Sequence, residues 1–333
     1  MVTIDDVARA AGVSTSTVSY VLSGKRPISA PTRDRVERSI SDLGYHPHAG
    51  ARALASSRTA VVGLVAPLRV DVDVNVIMQF VAGVVTTARS YDHDVLLLTQ
   101  DDPAGVARVA GSSMVDGLIM MDIESHDPRV AVLGRLRQPA VLIGLPRDPG
   151  DLACVDLDFE AAASAAVEHL AALGHQHVAL IGSPRSVLER RTSYAERMRR
   201  GFARTAAERG LGAVAVSCES SHAGAVAAVD EVLARLPAVT GLVVHNEAAL
   251  AGVVASLQAR GLELPDDVSV VAVCPLDVAV GQPLALTAVD IPARTIGRVA
   301  VEMLMARLDG PRAAETRLLP PVLTHRLSTG PAR

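Results

Sequence analysis

The 333 residues, 49% hydrophobic and 20% charged with a formal charge of −4, suit two or three globular units with their own cores and exclude a disordered chain. No uninterrupted apolar run approaches the ~20 residues that a membrane-spanning helix requires. Three scattered cysteines, Cys154, Cys218 and Cys274, form neither an even disulfide set nor a close metal pair, and the amino terminus reads as a helix in place of a secretory leader, so the expected compartment is the cytoplasm.

Ile4, Val7, Ala8 and Ala11 fall at i, i+3, i+4 and i+7, one apolar stripe on a first helix that Gly12 ends. Ser14 is the N-cap candidate of a second short helix, in which Val18, Val21 and Leu22 face inward while Thr15, Ser16 and Tyr20 point away. Two short helices on a glycine turn make a helix-turn-helix, whose second member is built to enter a DNA major groove. Ser29 to Thr32 starts a third helix, with Pro31 tolerated in its first turn; Val36, Ile40 and Leu43 form its buried stripe, and Gly44 stops it. The following segment, through Ser57, is too weak to be a stable helix in isolation. Charge supports this division. Residues 1–60 hold eight Lys/Arg against five acids, a net of +3, which leaves −7 on the remainder. A basic head on an acidic body places attraction for phosphate at one end.

Beyond residue 58 apolar strands alternate with helices, the signature of parallel sheets. Strands are expected at Val61 to Ala66, Val95 to Thr99, 117–120 and 141–143, with a helix over 76–91. A second series follows: helices over 159–173, 193–209, 223–235 and 247–260, and strands at 178–181, 214–217, 242–244 and 268–273. The last helix, about 293–308, and the tail Thr316 to Leu327 have no third sheet to join and are expected to return to the first two. Open parallel sheets that face each other leave a cleft at the carboxyl ends of their strands, where ligands of such folds bind. There is no P-loop, no glycine-rich dinucleotide fingerprint and no nucleophile–base pair. His175 and His177 lack a nearby third ligand, so no catalytic residue, cofactor or metal is expected.

Several segments resemble the lactose-repressor family of bacterial transcription regulators: Ile4-Asp5-Asp6-Val7-Ala8 with Ala11-Gly12-Val13-Ser14, Thr17-Val18-Ser19, Arg33 to Val36, Leu43-Gly44-Tyr45 with Pro47, and Ala51-Arg52-Ala53-Leu54. The similarity continues through nearly the whole chain. It implies an all-α helix-turn-helix head at 1–47, a hinge helix at 48–58, and an α/β periplasmic-binding-protein-like effector domain at 59–333. That domain would comprise two parallel-sheet subdomains, one of about 59–157 plus 291–318 and the other of about 158–290 plus 319–328. The expected molecule is a homodimeric regulator, a repressor, on a pseudo-palindromic double-stranded DNA operator. A receptor without DNA function is the rival reading, and a salt-dependent gel shift separates the two. Since no heptad tail follows Arg333, a coiled-coil tetramer is not expected.

By position, the resemblance assigns base reading to Thr15, Ser16 and Tyr20 beside Thr17, and phosphate contacts to Ser14, Ser19, Ser29 and Thr32. Tyr20 stands where many relatives carry arginine, which alters the preferred base. Leu54 would wedge into a base step through the minor groove, with Ala51 and Ala53 small enough to let the hinge approach; His48 replaces the family's usual asparagine. For the effector the resemblance points to Asn246, to Cys274 and, with a register open by one residue because Met198 stands at the family's arginine position, to Arg197; Asp73 and Asn75, in the loop after the first strand, are further cleft candidates. Cys274 stands where an aspartate is usual, and Gly144 where the lactose repressor itself has an acid. With fewer carboxylates and only seven aromatic residues (four Tyr, three Phe), the alternatives are a carbohydrate, another small metabolite or no effector at all.

Overall fold

The computed structural model describes residues 2–23, 26–45, 58–69, 71–112 and 114–333. The head is three helices, Ile4–Ala11, Thr15–Ser23 and Ala30–Leu43. Thr3 and Asp6 form a capping box at the first, and Gly12 ends it at φ 64°, a left-handed conformation that glycine adopts without steric cost. Val7, Ala8, Ala11, Val18, Val36 and Tyr45 close a small core, with Val21 and Ile40 packed against it. Leu22 and Leu43, expected to face inward, are each 37% exposed. Three short helices enclose too little volume to bury every apolar position, and these two lie near helix ends.

Two six-stranded sheets follow. The strands of the first are β1 Val61–Val65, β2 Asp94–Leu98, β3 Gly117–Met120, β4 Ala140–Ile143, β5 Ala153–Leu157 and β11 Thr316–Leu319, in the order β11-β5-β4-β3-β1-β2. Those of the second are β6 His177–Gly182, β7 Gly212–Ser217, β8 Gly241–Val244, β9 Ser269–Cys274, β10 Thr287–Asp290 and β12 Leu323–Thr324, in the order β12-β10-β9-β8-β6-β7. All pairs are parallel except β10 with β12. Most of these strands are apolar on both faces, as sheets covered by helices on each side require. The tail does return to both sheets: β11 extends the first beside β5 and β12 the second beside β10. The chain thus passes between the sheets three times, after β5, after β10 and after β11.

In each subdomain a pair of helices crosses at a glycine. Val74–Ser90 meets Ala293–Leu308 at Gly83 and Gly297, where an added Cβ would lie 2.3 Å from Arg294 O and 2.5 Å from Phe80 O respectively. Phe159–Ala172 meets Ser193–Glu208 at Gly201, with Glu160 O at 2.3 Å. No other residue lets these backbones approach so closely. One apolar core runs from Val62 and Leu64 through Phe159, Ala163 and Val167 to Val178 and Val271, and so joins the two subdomains. Among the described residues no helix is long and apolar enough to cross a membrane.

Candidate nucleic-acid interface and effector cleft

At the head, the second helix starts with its hydroxyls arranged in pairs. Thr17 N donates to Ser14 Oγ at 3.2 Å, and the Ser14 and Thr17 hydroxyls lie 2.9 Å apart. Ser29 Oγ donates to Thr32 Oγ1 at 2.9 Å at the start of the third helix. Thr15 and Ser16 are exposed, while Ser19, Thr32 and Tyr20 are half-buried. The Arg26 guanidinium carbon sits 5.1 Å from the centre of the Tyr20 ring. These hydroxyls, at two helix starts of one small unit, suit the positioning of phosphate oxygens. Ala51, Leu54 and the rest of the hinge assignment lie outside the described residues.

A cavity of about 130 Å³ lies between the subdomains, at the carboxyl ends of the strands. Ala66 and Pro67 follow β1, Met121 to Ile123 follow β3, Ile143 and Gly144 end β4, and His245 and Glu247 follow β8. In both sheets the strand order reverses beside these strands, which opens a crevice there. The floor is a cluster of rings. Phe159 lies 5.7 Å from Tyr194 and 5.3 Å from His245 between centroids, and Tyr194 meets His245 edge-on at 5.6 Å. Phe80 lines another wall, so three of the chain's seven aromatic residues face one small space.

Four carboxyls line it as well: Asp73, Asp122, Asp156 and Glu247. Two are already engaged. Asp122, in a left-handed backbone at φ 52°, accepts from Arg69 Nε at 2.9 Å. Asp156 pairs with the buried Arg197, whose Nη1 also donates to Leu157 O at 3.2 Å. Burial lifts the Asp156 carboxyl above its ordinary range even against that arginine. Asp73 caps the helix Val74–Ser90 by accepting from Asn75 N at 2.8 Å. Glu247 has no hydrogen-bonded or ionic side-chain partner among the described residues, and burial, with Asp73 nearby, pushes its carboxyl up to about 7. Burial brings the His245 ring down to about 4, which keeps it neutral.

The mouth is bridged across the cleft. Asp71 Oδ2 accepts from Arg190 Nη1 at 2.7 Å and from Ser186 Oγ at 2.6 Å. Gln79 Nε2 donates to the Asp277 carboxylate at 3.0 Å.

Residues 3–48 match the model of bacterial regulatory proteins, lacI family, and residues 167–329 that of the periplasmic binding protein-like domain. Catabolite control protein A of Priestia megaterium is 30% identical over 310 residues, 91% of each chain. The chain belongs to the lacI family. The solved lac repressor dimer bound to operator and the anti-inducer ONPF superposes with a TM-score of 0.84 at 25% identity over 99% of each chain. The CelR–cellobiose complex does so with a TM-score of 0.70 at 25% identity, covering 98% of this chain and 100% of that one. This LacI-family chain is therefore a DNA-binding transcription regulator and not an enzyme.

The regulator places its five expected effector residues unequally. Asp73 lines the cavity. Asn75, the second residue of the helix Val74–Ser90, is exposed and outside the cavity lining. Arg197 stands behind Asp156, its guanidinium carbon 5.5 Å from the centre of the Phe159 ring. Asn246 is consumed as an N-cap: it accepts from Ala249 N at 3.3 Å and donates to Cys218 O at 2.6 Å. Cys274 is 1% exposed at the end of β9, outside the cavity lining, and burial pushes its thiol far up. Gly144, at φ 129°, lies against Ile123, and an added Cβ would be 2.7 Å from Ile123 Cβ, so no acid fits there in this backbone. His175 is no ligand: its ring bonds Thr240 Oγ1 at 2.8 Å and Gly330 O at 3.2 Å.

Sequence reading missed Tyr194, His245 and Glu247. The signal available was their neighbourhood, since His245 and Glu247 flank Asn246 and Tyr194 lies three residues before Arg197.

Proposed function

We propose that this regulator is a cytoplasmic homodimer that represses transcription from a pseudo-palindromic operator, its grip on that operator set by a small molecule in the cleft. Residues 1–47 would form the head, 48–58 the hinge and 59–333 the effector and dimerisation unit. The observation that carries this reading is the cleft itself, walled by two subdomains and bridged at its mouth by Asp71 and Arg190. A molecule held between two bodies has different contacts in their open and closed arrangements, and only such a difference lets a ligand shift a conformational equilibrium.

At the head, Thr15, Ser16, Thr17 and Tyr20 would read base edges, with Ser14, Ser19, Ser29 and Thr32 on phosphates. Ala51 and Leu54 would enter the minor groove when two hinges pack together. The lac repressor structure, a dimer bound to operator, supports the dimer, and the cellobiose held by CelR supports a small molecule, a sugar among the candidates, in the cleft. Selection of bound DNA from a random pool, followed by gel shifts over a salt series, tests the reading. A symmetric consensus whose affinity falls steeply with salt is expected. Binding without sequence preference at any salt refutes it.

A further inference from the structure

We propose that the effector is a small organic cation, an ammonium group on an apolar body no larger than about one ring, held between Asp73 and Glu247. This rests on the cleft being the effector site. Size comes first: the cavity of about 130 Å³ is close to the roughly 150 Å³ of an engineered void that takes up benzene. Eleven of its eighteen lining residues are apolar and six carry polar side chains. Against the eleven apolar residues a polyhydroxylated ring would turn part of its hydroxyl rim to hydrocarbon, whereas an apolar body with one polar end would not.

The charge of that polar end follows from what is left unpaired. Of the four lining carboxyls, Asp122 and Asp156 already face Arg69 and Arg197. Asp73 and Glu247 have no ion-pair partner among the described residues, and no lysine or arginine lines the cavity. They also come from opposite subdomains, Asp73 from the loop after β1 and Glu247 from the turn after β8. A cation between them replaces repulsion across the cleft by attraction to both walls, and so couples binding to closure.

The rings suit the same ligand. Phe159, Tyr194 and His245 cluster at the floor, and aromatic faces attract cations most strongly where water is excluded. Phe159 already receives one, the Arg197 guanidinium at 5.5 Å. His245 is 4% exposed, and its ring makes no hydrogen bond to any described residue, so a nitrogen remains for the ligand; held neutral, the ring does not repel a cation.

The test is calorimetric titration of the full-length protein with benzylamine and choline, with benzyl alcohol as the uncharged isostere, and with ribose and cellobiose. Saturable binding of at least one of the two cations, with benzylamine at least tenfold tighter than benzyl alcohol, is expected. Asp73→Asn and Glu247→Gln should each weaken the bound cation about tenfold or more, their thermal melts serving as the check on folding. Failure of both cations to bind in the millimolar range, equal binding of benzylamine and benzyl alcohol, or binding of a sugar with no cation response overturns the proposal. Operator gel shifts on the same preparations keep the two readings separate, since the regulator reading fails only on loss of sequence preference.

Discussion

Asp71 and Arg190 join across the mouth of the cleft, Oδ2 to Nη1 at 2.7 Å, so one ion pair holds the loop after β1 to the second subdomain. Side-chain exposures of 10% and 22% limit solvent screening of this pair. Arg190→Gln should cost about 1–3 kcal/mol, the range for depriving a buried polar group of a hydrogen-bond partner, since Asp71 is half-buried and keeps Ser186, measured by urea unfolding. Hydrogen exchange at residues 71–73 and 186–190 should accelerate. Burial alone would raise the Asp71 carboxyl, but hydrogen bonds from Arg190 and Ser186 hold it below its ordinary value. Its contribution is therefore present above the unfolded value and lost as pH falls through the folded one, so the bridge should open in acid.

Glu247 gives the opposite slope. Its folded carboxyl, raised to about 7, contributes stability that is complete below the unfolded value near 4.5 and lost as pH rises through about 7. Unliganded protein should accordingly melt lower at about pH 8 than at about pH 6, and Glu247→Gln should flatten that difference. His245 acts at the other end: with its ring lowered to about 4, its contribution is present above about 6.5 and lost as pH falls toward 4. His245→Phe should reduce the acid-side loss of melting temperature.

Gly297 permits the crossing of Val74–Ser90 and Ala293–Leu308. Gly297→Ala would put its Cβ 2.5 Å from Phe80 O, a backbone atom that cannot move without its helix. The expected loss is about 1–3 kcal/mol in thermal or urea unfolding, typical of overpacking. Because Asp73 caps that same helix, effector affinity should fall as well.

At the head, Ser14 both caps the second helix and is proposed to meet phosphate. Ser14→Ala should cost about 1 kcal/mol of head stability and weaken binding to all DNA sequences alike. Tyr20→Ala should instead change the selected base at one position in each half-site while total affinity for other sequences stays near that of the wild type. Sequencing of selected DNA pools distinguishes the two outcomes.

The elements that were legible in the sequence are those whose signal is local. Val61 to Val65 and Val270 to Val273 are apolar on both faces and need no partner to be read as buried parallel strands. Gly12 and Gly44 end helices through a conformation that few other residues adopt, and Ser14 caps through an oxygen three residues from its donor. Strand β5 escaped notice because Asp156 interrupts its apolar run, and its charge is intelligible only with Arg197 beside it, forty-one residues away. The edge strands β11 and β12 are short and largely exposed, so nothing in their own residues names the sheet each joins.

The sequence by itself determined the helix-turn-helix head, the alternation of strands and helices and the family. Only the tertiary structure decided what fills the cleft wall: that Asn246 is spent on a helix start, that Arg197 is spent on Asp156, and that Tyr194, His245 and Glu247 converge where Asp73 faces them. The physical reason is that secondary structure follows from periodicities a few residues long, whereas a side chain is free for a ligand only if no distant part of the chain has already satisfied it.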